Sequence, residues 1–130
     1  MSSYDVTAIG TVESTLTDRA DAPRQGDEGA PGAWIVVEPA YAPALEGIAI
    51  GDRLVIVTWL HLGQRDVLQT HPRSDTTRPE QGVFSTRSPD RPNPIGLHPV
   101  EVLAMEGTRL RVAPLEAIAG TPVIDIKPEL

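Results

Sequence analysis

No stretch of this chain sustains a helical period. Apolar residues come instead as short alternations and short runs, each soon broken by Gly, Pro or a polar cluster, and that pattern restricts the chain to an all-β fold. Tyr4 to Val12 alternates through Val6, Ala8, Gly10 and Val12, which predicts a first strand. Asp18 to Gly32 is polar and rich in Gly and Pro, and reads as a loop. Ala33 to Val37 reads as a buried strand, and Pro39 to Leu45 as one helical turn limited by Pro39 and Pro43. Arg53 to His61 is the strongest strand, and Asp66 to Thr70 a further one. His71 to Gln81 reads as polar loop. Strands follow at Val100 to Ala104, Arg109 to Ala113 and Val123 to Ile126. Small all-β chains must dispose of their edges, so a small closed or nearly closed β-barrel with minimal helix fits better than a sandwich.

A chain of 130 residues is long enough for one domain, 1–130, with a real core. One Phe, two Trp and two Tyr leave that core to Val, Ile, Leu and Ala. The chain has no Cys, which excludes disulfides, thiolate nucleophiles and Cys-ligated zinc. The N-terminus carries Asp5 and no apolar run, and no run is long enough to span a bilayer, so a cytoplasmic protein is expected. A net charge of -7 opposes non-specific binding to polyanions. The charge is uneven, however: six of the eleven basic residues fall between Arg53 and Arg91.

The stretch from Gly82 to Leu97 dominates the middle of the chain. Val83, Phe84 and Thr86 are β-formers and predict a strand at its start. Pro89, Pro92 and Pro94 then stop any ladder and push Ser88, Arg91 and Asn93 toward extended geometry. The result is a stiff loop projecting Arg87, Ser88, Asp90, Arg91 and Asn93, with Gly96 allowing a turn or a close approach. Such a loop serves either as a ligand clamp or as a structural corner whose arginines pair with nearby acids.

Other constellations are weaker. His61, His71 and His98 lack metal-ligand spacing, so no metal is expected. Ser88, His71 and Asp90 have no nucleophile-elbow pattern around them, and no phosphate-cradling glycine motif is present. Trp59 and His61 share one strand face: either they line a pocket, or Trp59 is core and His61 ends the strand. Gly120-Thr121-Pro122 is a tight turn whose N–H groups either hold a polar ligand or simply turn the chain.

Four segments taken together resemble one family: Ala22 to Gln25 (Ala-Pro-Arg-Gln), Trp59 to His61, Gly82 to Leu97, and Gly120 to Pro128. Ile9-Gly10 and His71-Pro72-Arg73 also fit. The chain resembles the TsaA-like (TrmO, formerly YaeB) domain of S-adenosylmethionine-dependent tRNA methyltransferases over nearly its whole length. The resemblance implies a small homodimeric β-barrel that binds S-adenosylmethionine and methylates the exocyclic amine of threonylcarbamoyl-adenosine beside a tRNA anticodon. The family's cofactor contacts fall on Pro23, Arg24, Gln25, His61, Arg87, Leu97, Gly120, Thr121 and Pro122. On the chemistry of that cofactor, Arg24 or Arg87 is expected to pair with its carboxylate through a bidentate contact, with Gln25, His61 and the Gly120-Thr121 backbone on adenine and ribose. Arg91 and Asn93 become the acceptor-side candidates, and Arg53, Arg73 and Arg78 candidate phosphate contacts. The chain departs from the family in two ways. Ala119 stands where an Asp usually precedes Gly-Thr-Pro, and the sequence ends at Leu130, where longer members carry a C-terminal extension expected to help hold tRNA. These departures keep two other readings open, a methyltransferase acting on a small molecule or other acceptor and a non-catalytic cofactor-binding module.

Overall fold

The computed structural model describes residues 1–130, every side chain except that of Glu28 included. Strands β1 (Gly10–Glu13), β2 (Ala33–Val37) and β3 (Arg53–Trp59) are followed by the short pair β4 (Gln69–Thr70) and β5 (Gln81–Gly82), then β6 (Ile95–Glu106), β7 (Arg109–Ala113) and β8 (Pro122–Pro128). Six of them close an antiparallel barrel in the order β1-β2-β7-β6-β3-β8, while β4 and β5 pair separately. The helical elements are short 3₁₀ turns, and no helix among the described residues is long and apolar enough to cross a membrane.

Period-2 alternation fills the barrel. Ala33, Ile35 and Val37 of β2, Leu54 and Ile56 of β3, Val100 and Val102 of β6, and Leu110 and Val112 of β7 form one buried cluster with Val12 and Val123. Burying each such Ile or Leu contributes about 1.5–3 kcal/mol. Two bulges keep the alternation in phase with the core. In β8 the register against β3 shifts between Val57 and Thr58, so Ile126 rather than Asp125 packs on the cluster. In β6 a shift between Val102 and Ala104 leaves Leu103 outside and brings Met105 in.

Because every neighbouring pair is antiparallel, the ends of β1, β3 and β7 meet the starts of β2, β6 and β8 at one mouth. The connections at that mouth are residues 14–32, 60–94 and 114–121. The opposite mouth is closed by the 3₁₀ turn Pro39–Leu45, with Leu45 in the core cluster and Ile48 packed against it.

Several sequence expectations need correcting. The first strand starts at Gly10, not Tyr4, because the ladders to Val37 and Val123 begin there and residues 1–8 are exposed. The strongest strand stops at Trp59, where the Leu60 N–H turns to the Pro94 carbonyl. The strand foreseen at Asp66 shrinks to Gln69–Thr70. Val83–Ser85 is a 3₁₀ turn rather than a strand: the Val83 carbonyl receives the Thr86 N–H, the Thr86 hydroxyl and the Arg91 guanidinium, which folds the segment back on itself. Trp59 is neither core nor pocket wall; it lies on the outer face of β3 beneath the Arg65 guanidinium, 5.1 Å from the ring centroid.

Gly96 makes the close approach that its sequence position suggested. A Cβ there would stand 2.6 Å from Thr58 Oγ1 and 2.7 Å from His98 Nε2. Gly96→Ala is therefore expected to destabilise the barrel by about 1–3 kcal/mol, read as a lower midpoint with an unchanged slope in urea denaturation.

Candidate functional site

The three connections at the open mouth wall a cleft of about 1270 Å³ that continues over the outer face of β6 past Leu97 and Pro99. Ligand sites usually span roughly 300–1,000 Å³, so this cleft has room for a cofactor and part of a second substrate. Seven of the eleven basic residues line it: Arg19, Arg24, Arg53, Arg73, Arg78, Arg87 and Arg91. The described acids on its walls are Asp27, Asp90 and Glu116. The acidic chain thus concentrates positive charge on one concave surface.

Most of these arginines work on the cleft itself. Arg19 donates to the Leu62 carbonyl at 2.7 Å and lies 3.5 Å from Asp90, tying residues 14–32 to residues 60–94. Arg24 donates to the Arg73 carbonyl at 2.9 Å. Arg53 pairs with Glu129 at 2.6 Å. Arg87 differs: it is exposed, and no hydrogen bond or ion pair to a described residue holds it. Its donors are available to a ligand carboxylate or phosphate.

The central loop is braced from within. Arg91 donates to the carbonyls of Thr86, Ser88 and Val83 at 3.0, 2.9 and 2.7 Å. Asn93 accepts from Arg65 at 3.0 Å, and Arg65 also donates to the Pro92 carbonyl. Asp90 accepts the Gln64 N–H at 2.8 Å. Of the two acceptor-side candidates, Arg91 lines the cleft and Asn93 does not, and both side chains are engaged in the loop's own bonds. The segment is a structural corner and a cleft wall at once.

Of the expected cofactor contacts, Pro23, Arg24, Gln25, His61, Arg87, Leu97 and Thr121 line the cleft. Gly120 and Pro122 do not. The turn they form has no amides to spare: the N–H groups of Ala119, Gly120 and Thr121 donate to the carbonyls of Leu16, Val12 and Ile118. Gly120 (φ 87°) supplies the left-handed corner that makes these bonds, and Thr121 is buried. A ligand therefore finds no free N–H donor in this turn. Ser88, His71 and Asp90 make no catalytic chain either: His71 Nδ1 faces the Arg78 carbonyl, and Ser88 accepts the Asp90 N–H.

Sequence reasoning missed two groups on the cleft floor, His98 and Glu116. His98 is buried, with Nε2 2.7 Å from Thr58 Oγ1 and Nδ1 2.5 Å from Glu116 Oε1. The signal was present in part. Gly96, His98, Val100 and Val102 alternate inward along β6, which places His98 inside the barrel. Glu116 is distant in sequence, and only the 114–121 connection brings it there.

Residues 71–80 wall the other side of the cleft, and Asp75 organises them. The Thr77 hydroxyl at 2.6 Å and N–H at 3.0 Å hold its carboxyl below the ordinary carboxylate range. A depressed folded value stabilises this turn above the ordinary carboxylate pKa, and the contribution is lost as pH falls through the folded value. Thr77→Val is expected to raise the Asp75 pKa, followed by carboxyl-carbon NMR titration. Arg91→Lys, which cannot span three carbonyls, should weaken local protection by about 2 kcal/mol, seen as roughly 30-fold faster exchange of the Thr86 and Ser88 amides.

Comparison with known proteins places this geometry among relatives. The family model described as the tRNA-methyltransferase O N-terminal domain matches residues 11–130. A protein of Methanothermobacter thermautotrophicus described as a probable S-adenosyl-L-methionine-binding protein is 45% identical over 120 residues, covering 92% of this chain and 85% of its own. An S-adenosyl-L-methionine-binding protein of Archaeoglobus fulgidus is 44% identical over 119 residues, with 92% and 84% covered. The crystal structure of TrmO from P. aeruginosa superposes with a TM-score of 0.78 at 28% identity. That superposition takes in 100% of this chain but only 56% of the TrmO chain.

Proposed function

The chain belongs to the tRNA-methyltransferase O N-terminal domain family, and from that premise we propose that it methylates tRNA with S-adenosylmethionine, at the exocyclic amine of threonylcarbamoyl-adenosine beside the anticodon. The observation that supports this most is convergence: Pro23–Gln25, His61, Arg87, Leu97 and Thr121, far apart in sequence, line one arginine-rich cleft. The cleft suits the cofactor's chemistry, with an unpaired guanidinium for a carboxylate, polar edges at Gln25 and His61, and an apolar contact at Leu97.

When bound, S-adenosylmethionine supplies a methyl group already activated on a sulfonium. The chain's task is then to hold, orient and exclude water. Arg87 takes the cofactor carboxylate, with Arg24 closing beside it from the facing loop. Gln25 and His61 address the nucleoside. Thr121, Gly120 and Pro122 act through the shape of their turn. Arg91 and Asn93 act on the acceptor side by keeping the central loop in its extended form. An anticodon-loop base is unpaired and enters such a cleft splayed from its neighbours. Arg73 and Arg78 on the rim meet its phosphates, in the cytoplasm where tRNA is found.

The same reading includes a homodimer. Ile95, Leu97 and Leu103 leave the outer face of β6 at 42%, 47% and 45% exposure. Ile95 and Leu97 line the cleft, and a second copy covering that apolar edge would complete one wall. Sedimentation at micromolar protein is expected to show a dimer.

A non-catalytic cofactor module is favoured by one observation, Ala119 at the Gly-Thr-Pro turn, and a small-molecule acceptor by the acidic net charge of -7. Transfer of labelled methyl from S-adenosylmethionine into total tRNA decides between these readings. Methylated tRNA, with binding that weakens steeply as salt rises, is the expected result; cofactor binding without transfer supports the alternatives. In calorimetric titration, Arg87→Ala should lower cofactor affinity by about 10- to 100-fold, or roughly 1.4–2.8 kcal/mol.

A further inference from the structure

Glu116 stands apart from the other acids of the cleft. Its side chain is 15% exposed, and that of His98 behind it 4%. Oε1 is 2.5 Å from His98 Nδ1, and His98 Nε2 is 2.7 Å from Thr58 Oγ1. A Cβ at Gly96 would stand 2.7 Å from His98 Nε2, so a glycine at this position is what leaves room for the imidazole. With a neutral imidazole and an ionised carboxylate, the Thr58 hydroxyl donates to Nε2 and Nδ1–H donates to Glu116. Oε1 is thereby fixed. Oε2 lies toward the loop that carries Gln25, 3.2 Å from where a Cβ on Gly26 would stand.

Methylation of an N–H acceptor releases a proton, and the cleft must offer it a place. His71 has Nδ1 at the Arg78 carbonyl and Nε2 3.7 Å from Glu80. Asp90 is engaged by Arg19 and the Gln64 N–H. His61 and Asp27 are exposed, and no bond to a described residue fixes either side chain. Glu116 alone among these is both shielded from solvent and oriented by a second side chain.

We propose that Glu116 is the general base of the transfer, and that His98, fixed by Thr58, is its positioning residue. The proposal rests on the methyltransferase reading above. The lone pair of the acceptor nitrogen forms the new N–C bond while the C–S bond breaks and its electron pair stays on sulfur. The proton of that nitrogen passes to Glu116 Oε2 and leaves through the open cleft. A positioned base of this kind typically contributes about 10²–10⁴-fold.

The test compares the native chain with Glu116→Gln, Glu116→Asp and His98→Gln. Two measurements are made on each: calorimetric binding of S-adenosylmethionine, and the single-turnover rate of methyl transfer to total tRNA across pH. Glu116→Gln should bind the cofactor within about 3-fold of the native chain, transfer at least about 100-fold more slowly, and lose the fall in rate toward acid pH. Glu116→Asp should keep part of the rate and the acid limb. His98→Gln should shift that limb with cofactor affinity retained; an unshifted limb removes His98 from the mechanism. A native-like rate in Glu116→Gln would overturn the proposal. Loss of cofactor binding in both Glu116 variants would overturn it too, making the carboxylate a cofactor ligand. A native chain that binds cofactor yet methylates no tRNA would instead overturn the tRNA reading, and the base with it.

Discussion

Closure of the barrel by its last strand is the constraint on which the rest depends. β8 pairs with both β1 and β3, so the C-terminal segment satisfies two edges that would otherwise stand open. Closure also fixes parity. With six antiparallel strands, alternate connections fall at the same mouth, and here those are residues 14–32, 60–94 and 114–121. The short hairpin between β6 and β7 and the Pro39–Leu45 turn go to the other end. The cleft is thus a consequence of strand count and order before any side chain is considered.

Within that frame the polar groups are arranged by burial. The barrel interior is aliphatic except near the open mouth, where Thr58, His98 and Thr121 are buried. Burying polar groups costs free energy unless they find partners. Thr121 donates to the Ile118 carbonyl at 2.7 Å, and His98 is held between Thr58 and Glu116. The apolar barrel therefore gives this network few alternative arrangements, which is what holds a carboxylate steady at the cleft floor.

The loops use charge differently. Arg19, Arg65, Arg91 and Asp90 spend their hydrogen-bonding capacity on backbone groups and on each other. Pro89, Pro92 and Pro94 leave the central loop without a ladder, and the arginines supply the bonds that a ladder would have made. The positive cleft of an acidic protein is built in part from two of these structural arginines, Arg19 and Arg91. Their charge remains after their donors are committed, and it acts on whatever enters.

The all-β class, the strands Ala33–Val37 and Arg109–Ala113, the barrel and the family are legible in the amino-acid order alone. Strict alternation and specific motifs are local properties, legible without a fold. The same order also marked Arg87, His61 and Pro23–Gln25, which the tertiary structure brings to one cleft. The remaining features depend on partners distant in the chain. Val83–Ser85 turns because Arg91 reaches back to it. The Gly120-Thr121 amides are consumed by Val12 and Ile118. Trp59 faces outward because Thr58 and Ile56 set the inward phase of β3. The pairing of His98 with Glu116 joins a strand to a loop whose residues carry no periodic signal, and hydrogen bonds of that kind are specified by three-dimensional closure rather than by spacing along the chain.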